Sequence, residues 1–345
     1  MTPLPKRPLG DTGLDVTELG FGGAAIGNLY HAVTDAQAAE TVRAVIASGI
    51  RYCDTAPYYG LGLSERRLGD CLRELDRDDV VLSTKVGRLL KPLPGHRGTA
   101  RRHGFVTAMP FQPVYDYGYD AVLRSYEDSL QRLGLARIDI VFVHDIGALT
   151  HGETNDGHVR ALASGGYRAL AELRAAGAIG AIGLGVNEWQ ACEAAMEQGD
   201  YDCFLLAGRY TLLEQEALDS FMPKCQAAGV SLIVGGAYNS GILATGTRGG
   251  GPACYNYAPA PDAVVDKVRR IEAVCDAHQV TLAAAALQFP LAHPVTASVI
   301  PGLGSARRVA ETVDLYRQAI PTAFWADLKS AGLVRADAPV PGDGP

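Results

Sequence analysis

The chain has 345 residues, 48% hydrophobic and 20% charged, with a net charge of −7. That balance excludes a disordered chain, and the lack of a basic field excludes an ordinary nucleic-acid binder. Its 40 glycines follow no Gly-x-y period, so they predict many turns or close backbone approaches.

The opening residues, Met1 to Lys6, have no apolar stretch behind their charge, and no signal peptide is expected there. Short apolar runs predict strands at Glu18–Phe21, Ile50–Cys53, Val80–Ser83, Ile138–Val143, Ile179–Leu184, Phe204–Leu206, Val230–Val234 and Ala297–Ile300. Helical spacing follows at Ala36–Ser48, Glu65–Leu75, Ala121–Leu133 and Tyr167–Ala176, then at Glu188–Gln198, Glu214–Ala228, Asp262–Ala277 and Ala306–Ala319. Gly49, Gly177 and Gly229 stand between a helix and the next strand, where a left-handed cap is expected.

Eight strand–helix units predict a parallel sheet. A doubly wound sheet is the rival. It would announce a Gly-x-Gly-x-x-Gly turn opening a helix, and Gly20-Phe-Gly-Gly23 lacks that spacing. The expected fold is therefore a single (β/α)8 barrel over residues 1–337, with a flexible tail over 338–345.

Three connections exceed ordinary strand-to-helix turns: Gly87–Gly118, Asp145–Gly165 and Ala244–Pro261. They follow strands 3, 4 and 7, on the face where barrels carry their sites. The first holds a basic stretch of Arg88, Lys91, Arg97, Arg101 and Arg102, broken by Pro92, Pro94, Gly95 and Gly98. It reads as a solvated loop or a lid with substrate contacts. Gly165-Gly166 and Gly249-Gly250-Gly251 suggest mobile loops.

Seven cysteines form no Cys-x-x-Cys pair, so reduced thiols, no metal site and a cytoplasmic location are expected. No apolar run reaches the roughly 18 residues of a membrane span.

Ionisable groups at the ends of core strands are costly unless paired or used. Asp54 ends strand 2, Lys85 strand 3 and His144 strand 4, while Asn187 lies just past strand 5. All fall at one end of adjacent strands and converge on one pocket. The segment Asp54-Thr-Ala-Pro-Tyr-Tyr-Gly60 can fold Tyr58 or Tyr59 over the mouth. A tyrosine near pKa 10 is a poor acid or base at neutral pH; a neighbouring lysine is expected to lower that value, with an aspartate orienting the lysine. The histidine positions the substrate oxygen, and no metal is needed.

Asp54, Tyr59, Lys85 and His144 resemble the catalytic tetrad of the aldo-keto reductases. The likeness covers nearly the whole chain, from Leu9-Gly-Asp-Thr-Gly13 through Gly20-Phe-Gly-Gly23 to Ile300-Pro-Gly-Leu-Gly-Ser-Ala-Arg-Arg308. It implies Tyr59, not Tyr58, as proton donor or acceptor. It also implies a nicotinamide dinucleotide, NAD or NADP, in a groove across the strand ends. Asn187 would hold the nicotinamide amide, and Asn239, Ser240, Gly241 and Leu243 would lie against the pyrophosphate. Gly302, Leu303, Gly304, Ser305, Arg308 and Glu311 would meet the adenosine end, with Gly22 and Gly23 pressed by the dinucleotide. A Gly-rich turn opening a helix suits an anion.

Two positions depart from the family pattern. Gly235 stands where many members stack an aromatic ring, and Gly302 stands where many NADPH-preferring members carry lysine. Tyr238 could supply the ring only if the loop bends differently; the cofactor expectation leans towards NAD, although Arg308 is available to a 2′-phosphate. Lys85-Val-Gly-Arg88, His144-Asp-Ile146 and Ala207-Gly-Arg209 resemble the aldose 1-dehydrogenase branch. That implies oxidation of a sugar of the L-fucose, D-arabinose or L-galactose type at C1 to the 1,5-lactone. Tyr58, Arg88, Asp145 and Arg209 are the candidate sugar contacts. A pyridoxal 4-dehydrogenase, a general aldehyde reductase and a non-catalytic cofactor-sensing subunit are the alternatives; oligomeric state stays open.

Overall fold

Eight parallel strands form the centre of the molecule: β1 Phe21–Gly22, β2 Tyr52–Asp54, β3 Val81–Val86, β4 Ile140–His144, β5 Ala181–Val186, β6 Cys203–Ala207, β7 Ser231–Gly235 and β8 Thr296–Ile300. Each is hydrogen-bonded to the next in this series. Bridges between Leu19 and Val299 and between Gly22 and Gly302 join β1 to β8 and close the barrel. The structure is a computed structural model that describes residues 3–96, 101–249 and 253–343. Arg97 and Gly98 of the basic stretch, Gly250 and Gly251, and the last two residues of the tail lie outside the described residues.

Alternation along the strands splits the apolar residues into two layers. Tyr52, Ile140, Phe142, Leu205 and Ile233 pack with Leu9 and Val16 in one cluster. Cys53, Leu82, Val141, Val143, Leu206 and Val234 pack with the helices in the other. The first cluster is the barrel interior. Leu9 and Val16 belong to an N-terminal hairpin, Lys6–Pro8 paired with Asp15–Thr17, which closes the end opposite the strand carboxyl termini.

Gly49, Gly177 and Gly229 have φ of 93°, 70° and 68°, the left-handed geometry expected at these helix ends. The first barrel helix, Asp35–Ala47, opens on a capping box between Thr34 and Gln37.

The long connections are more ordered than their composition suggests. The first folds into an antiparallel hairpin, Arg88–Pro92 with Phe111–Tyr115. The third contains a small hairpin, Cys254–Tyr255 with Ala258–Pro259. Gly165 and Gly166 do not form a mobile loop: they lie in a π-helical turn, Leu162–Gly166, between the helices Asn155–Ala161 and Tyr167–Ala175. A Cβ on Gly166 would collide with the Tyr117 carbonyl oxygen, so close packing explains that glycine.

The helix expected over Glu214–Ala228 is shorter, a single turn at Glu216–Leu218 followed by Phe221–Ala228. The Gln215 amide donates to the carbonyls of Thr211 and Leu212, at 3.1 and 3.0 Å, closing a turn there instead. Two further helices, Leu282–Gln288 and Thr322–Ser330, complete the shell. The tail packs too: Ala338 and Val340 are buried in the core and Lys329 donates to Asp343 at 3.1 Å, so the chain does not hang free from Ala338.

Candidate active site

β2 and β4 end on Asp54 and His144, and Lys85 is the penultimate residue of β3. All three therefore emerge at the carboxyl mouth of the barrel, where a parallel sheet presents its loops. Lys85 Nζ donates to both Asp54 oxygens, at 2.8 and 2.6 Å, and to the Thr55 carbonyl at 3.0 Å. Ser83 Oγ adds a bond to Asp54 at 2.8 Å. Asp54 and Lys85 are each 1% exposed, so this is a fully desolvated pair.

Tyr59 rests on that pair, with Lys85 Nζ 4.7 Å from its ring centroid. The His144 ring stands at 88° to the Tyr59 ring, 5.8 Å between centroids. Tyr58 flanks His144 from another side at 6.0 Å. Asp145 has φ of 47°, a region that few side chains other than Asn and Asp enter. Its Oδ2 lies 3.5 Å from His144 Nε2 and is ion-paired with Arg88 Nη2. Tyr117 donates to the His144 carbonyl at 2.8 Å and also bonds His151 Nε2 at 2.9 Å.

Burial raises the Asp54 carboxyl and lowers the Lys85 ammonium, and each partner's charge opposes the other's shift. Burial, with the charges of Arg88 and Lys85, holds His144 well below the usual imidazole range, so the ring is neutral. Tyr59 departs from the sequence expectation. Burial, then Asp54 and Asp145, push its phenol well above 10, with Arg88 opposing.

A cavity of about 450 Å³ opens above these groups, lined by Tyr58, Tyr59, Lys85, Arg88, His144 and Asp145. It adjoins a second cavity of about 360 Å³ along the ends of β6, β7 and β8. Tyr59, Asn187, Leu205 and Tyr257 line both. Of the residues expected to hold a dinucleotide, Gly22, Asn187, Asn239, Ser240, Gly241 and Gly302 line the second cavity. Arg209 lines it as well, not the first, and bonds Asn256 at 2.8 Å.

Other expected residues point elsewhere. Leu243 and Leu303 turn into the core, being apolar side chains beside it. Gly23 packs on β2, where a Cβ would lie 2.7 Å from the Asp54 carbonyl oxygen. Gly304 has only Ala25 near its Cβ position, at 3.6 Å. Ser305 caps the helix Ala306–Arg317, and Arg308 pairs with Glu311 at 3.6 Å on its first turns.

The second cavity suits an extended dinucleotide. Gly302 is exposed and opens onto free space, so its backbone is accessible to a ligand, whereas Gly22 packs closely on the Ile300 carbonyl oxygen, 3.1 Å from its Cβ position. Asn239 Oδ1 is buried without a partner, an acceptor for a ribose hydroxyl or an amide. Gly235 ends β7 with Leu205 and Ala207 nearest its Cβ position, and as a glycine it supplies no aromatic surface.

Several lining residues were not found from the sequence: Leu29, Tyr30, His103, Phe105 and Tyr257. They come from loops, and the one available signal was the length of the connections that carry His103 and Tyr257. Among the described residues no cluster of three His, Cys, Asp or Glu could hold a metal ion. No described helix is long and apolar enough to cross a membrane.

The aldo/keto reductase family model matches residues 18–332. A pyridoxal 4-dehydrogenase from Microbacterium luteolum is 46% identical, over 95% of this chain and 98% of the relative. A D-threo-aldose 1-dehydrogenase from Pseudomonas sp. is 39% identical, over 93% and 96%. The holo form of an aldo-keto reductase from Bacillus halodurans superposes with a TM-score of 0.74 over 96% of this chain and 97% of that one, at 24% identity.

Proposed function

We propose, from the premise that the chain belongs to the aldo/keto reductase family and is an NAD(P)-dependent oxidoreductase, that it oxidises an aldose in its cyclic hemiacetal form at C1 to the 1,5-lactone. One observation carries the reading furthest. The buried Asp54–Lys85 pair, Tyr59 and His144 meet at the junction of a compact cavity and a glycine-lined groove. A proton-transfer set therefore borders both an enclosed space for a substrate and a groove lined by residues expected to hold a dinucleotide. The likeness to the aldose 1-dehydrogenase supports the sugar.

In this reading Tyr59 exchanges the proton of the C1 hydroxyl. Oxidation needs a phenolate, and the free site favours the phenol, so proton loss to solvent precedes the step. The Lys85 ammonium beneath the ring, held by Asp54, is the fixed positive charge that makes the phenolate accessible. His144, neutral, offers a hydrogen bond to the substrate oxygen. Gly22, Asn187, Asn239, Ser240, Gly241 and Gly302 would hold the dinucleotide, with Gly304, Ser305, Arg308 and Glu311 at its adenosine end. When bound, it supplies the two-electron acceptor.

The adenosine end favours NAD. Glu311, which pairs with both Arg307 and Arg308 at 3.2 and 3.6 Å, would repel a 2′-phosphate, while a carboxylate suits a 2′-hydroxyl. Buried thiols such as Cys53, Cys192 and Cys203 fit a reducing cytoplasm.

A second reading takes pyridoxal. The 46% identical relative favours it, and so do the aromatic walls Tyr30, Tyr58, Phe105 and Tyr257 around the first cavity. An aromatic aldehyde beside a hydroxymethyl group also closes to a hemiacetal, so the same proton transfer serves. Initial rates for L-fucose, D-arabinose, L-galactose and pyridoxal, each with NAD and NADP, test both readings. Lactone formed fastest from a sugar supports the first, and from pyridoxal the second. Simple aldehydes turned over best would indicate a general reductase. Cofactor binding without turnover of any substrate would overturn the enzyme reading in favour of a sensor.

A further inference from the structure

We propose that Asp145 and Arg88 are positioning residues that set the tautomer and direction of the His144 imidazole, not ligands for sugar hydroxyls. The inference rests on the oxidoreductase reading of the site and concerns how its histidine is held.

Four observations lead to it. Asp145 Oδ2 is shared between Arg88 Nη2 and His144 Nε2, the latter at 3.5 Å. Asp145 continues the β4–β5 ladder through its N–H to the Gly185 carbonyl at 2.9 Å, yet its φ of 47° departs from a strand. The backbone thus turns into a sparsely populated conformation at the residue whose carboxylate meets the imidazole. Arg88 is 4% exposed and wedged between two rings, its Cζ 3.8 Å from the Tyr58 centroid and 5.0 Å from that of Tyr115. Finally, His144 Nδ1 is buried with no partner.

A neutral imidazole with no partner on either nitrogen is free to exchange tautomers. The carboxylate beside Nε2 places the proton on Nε2 and leaves the lone pair on Nδ1. At 3.5 Å that contact is longer than a good hydrogen bond, so the N–H remains available to a substrate oxygen. Arg88 keeps the carboxylate aimed, because the two rings leave the guanidinium little freedom. The oxygen that meets His144 is already taken by Arg88, which argues against a role in binding sugar.

Two measurements test this. The first needs no turnover: long-range proton–nitrogen NMR of the His144 ring in the intact protein. The wild type should show the Nε2–H tautomer, and Asp145→Asn a mixture. An unchanged spectrum in the variant would overturn the proposal. The second compares reduction of 4-nitrobenzaldehyde, which carries no hydroxyl, with oxidation of the preferred hemiacetal. Asp145→Asn should lower kcat about tenfold or more on both alike, and by less than about twofold when His144 is already alanine. Arg88→Lys should retain more activity than Arg88→Met.

A loss confined to the hydroxylated substrate, or an undiminished effect in the His144→Ala background, would return both residues to direct substrate binding or to an independent role. Melting temperature and cofactor binding of each variant separate these outcomes from misfolding. If the wild type turned over neither substrate, the oxidoreductase reading would fail while the NMR result still stood.

Discussion

Asp54 and Lys85 face each other from neighbouring strands, with Lys85 Nζ 2.8 and 2.6 Å from the two carboxylate oxygens. Both side chains are almost wholly buried, so neither charge has water to fall back on. Removing one partner strands the other. Lys85→Met is therefore expected to destabilise the fold by about 3–5 kcal/mol, measured by urea unfolding. Adding Asp54→Asn should recover most of that stability and none of the turnover. A single variant as stable as the wild type would show that the pair is solvated after all.

Tyr59→Phe keeps the ring over Lys85 and removes only the hydroxyl. Turnover is expected to fall by about 10²–10⁴-fold, while dinucleotide binding, read by fluorescence titration, stays within about twofold. Near-normal rates would remove Tyr59 from the proton-transfer role.

His293 offers a pH test away from the mouth. It is 6% exposed, and burial pushes its pKa from 6.5 down to about 4. Between those values the unfolded chain binds a proton that the folded chain refuses. Its contribution thus makes stability fall as pH drops from 6.5 to about 4, by up to about 1.4 kcal/mol per pH unit, with no slope above. The stability difference between wild type and His293→Gln should be flat above pH 7 and shift against the wild type below 6.5. A difference independent of pH would contradict the buried neutral ring.

Gly69 lies inside the helix Leu63–Leu72, where alanine is ordinarily favoured by about 1 kcal/mol. Here a Cβ would fall on the carbonyl oxygen of Leu133, at the end of the neighbouring helix. Gly69→Ala is therefore expected to destabilise by about 1–3 kcal/mol by chemical denaturation. A gain in stability would mean that the two helices separate easily.

The barrel and the four convergent groups were legible because both depend on local signals. Apolar runs such as Ile138–Val143 mark strands buried on both faces, and a polar residue ending such a run, His144, is conspicuous against them. Loop side chains carry no such signal. Phe105 lies between the strands of the first hairpin and Tyr257 in the tight turn of the second, and nothing in their neighbours in sequence records that these segments pack over the cavity. The helix Leu282–Gln288 escaped because it is buried nearly all round, leaving no polar face to reveal its period. The elevated Tyr59 phenol was misjudged for a related reason. Residue types identify the neighbours, but only coordinates show how completely the phenol is buried and that Asp54 and Asp145 add to the rise.

The N-terminal hairpin closes the far end of the barrel with Leu9 and Val16, so among the described residues the catalytic groups open onto the two cavities at the other end. A proton that leaves Tyr59 has no exit through the floor and must pass the rim, where Arg88 and His144 stand. When ligands fill both cavities, that route is obstructed and proton exchange with bulk water must wait for one of them to depart. Release of the proton and release of a ligand are then linked in time, so a pH-indicator burst should track ligand exchange and not the bond-breaking step itself.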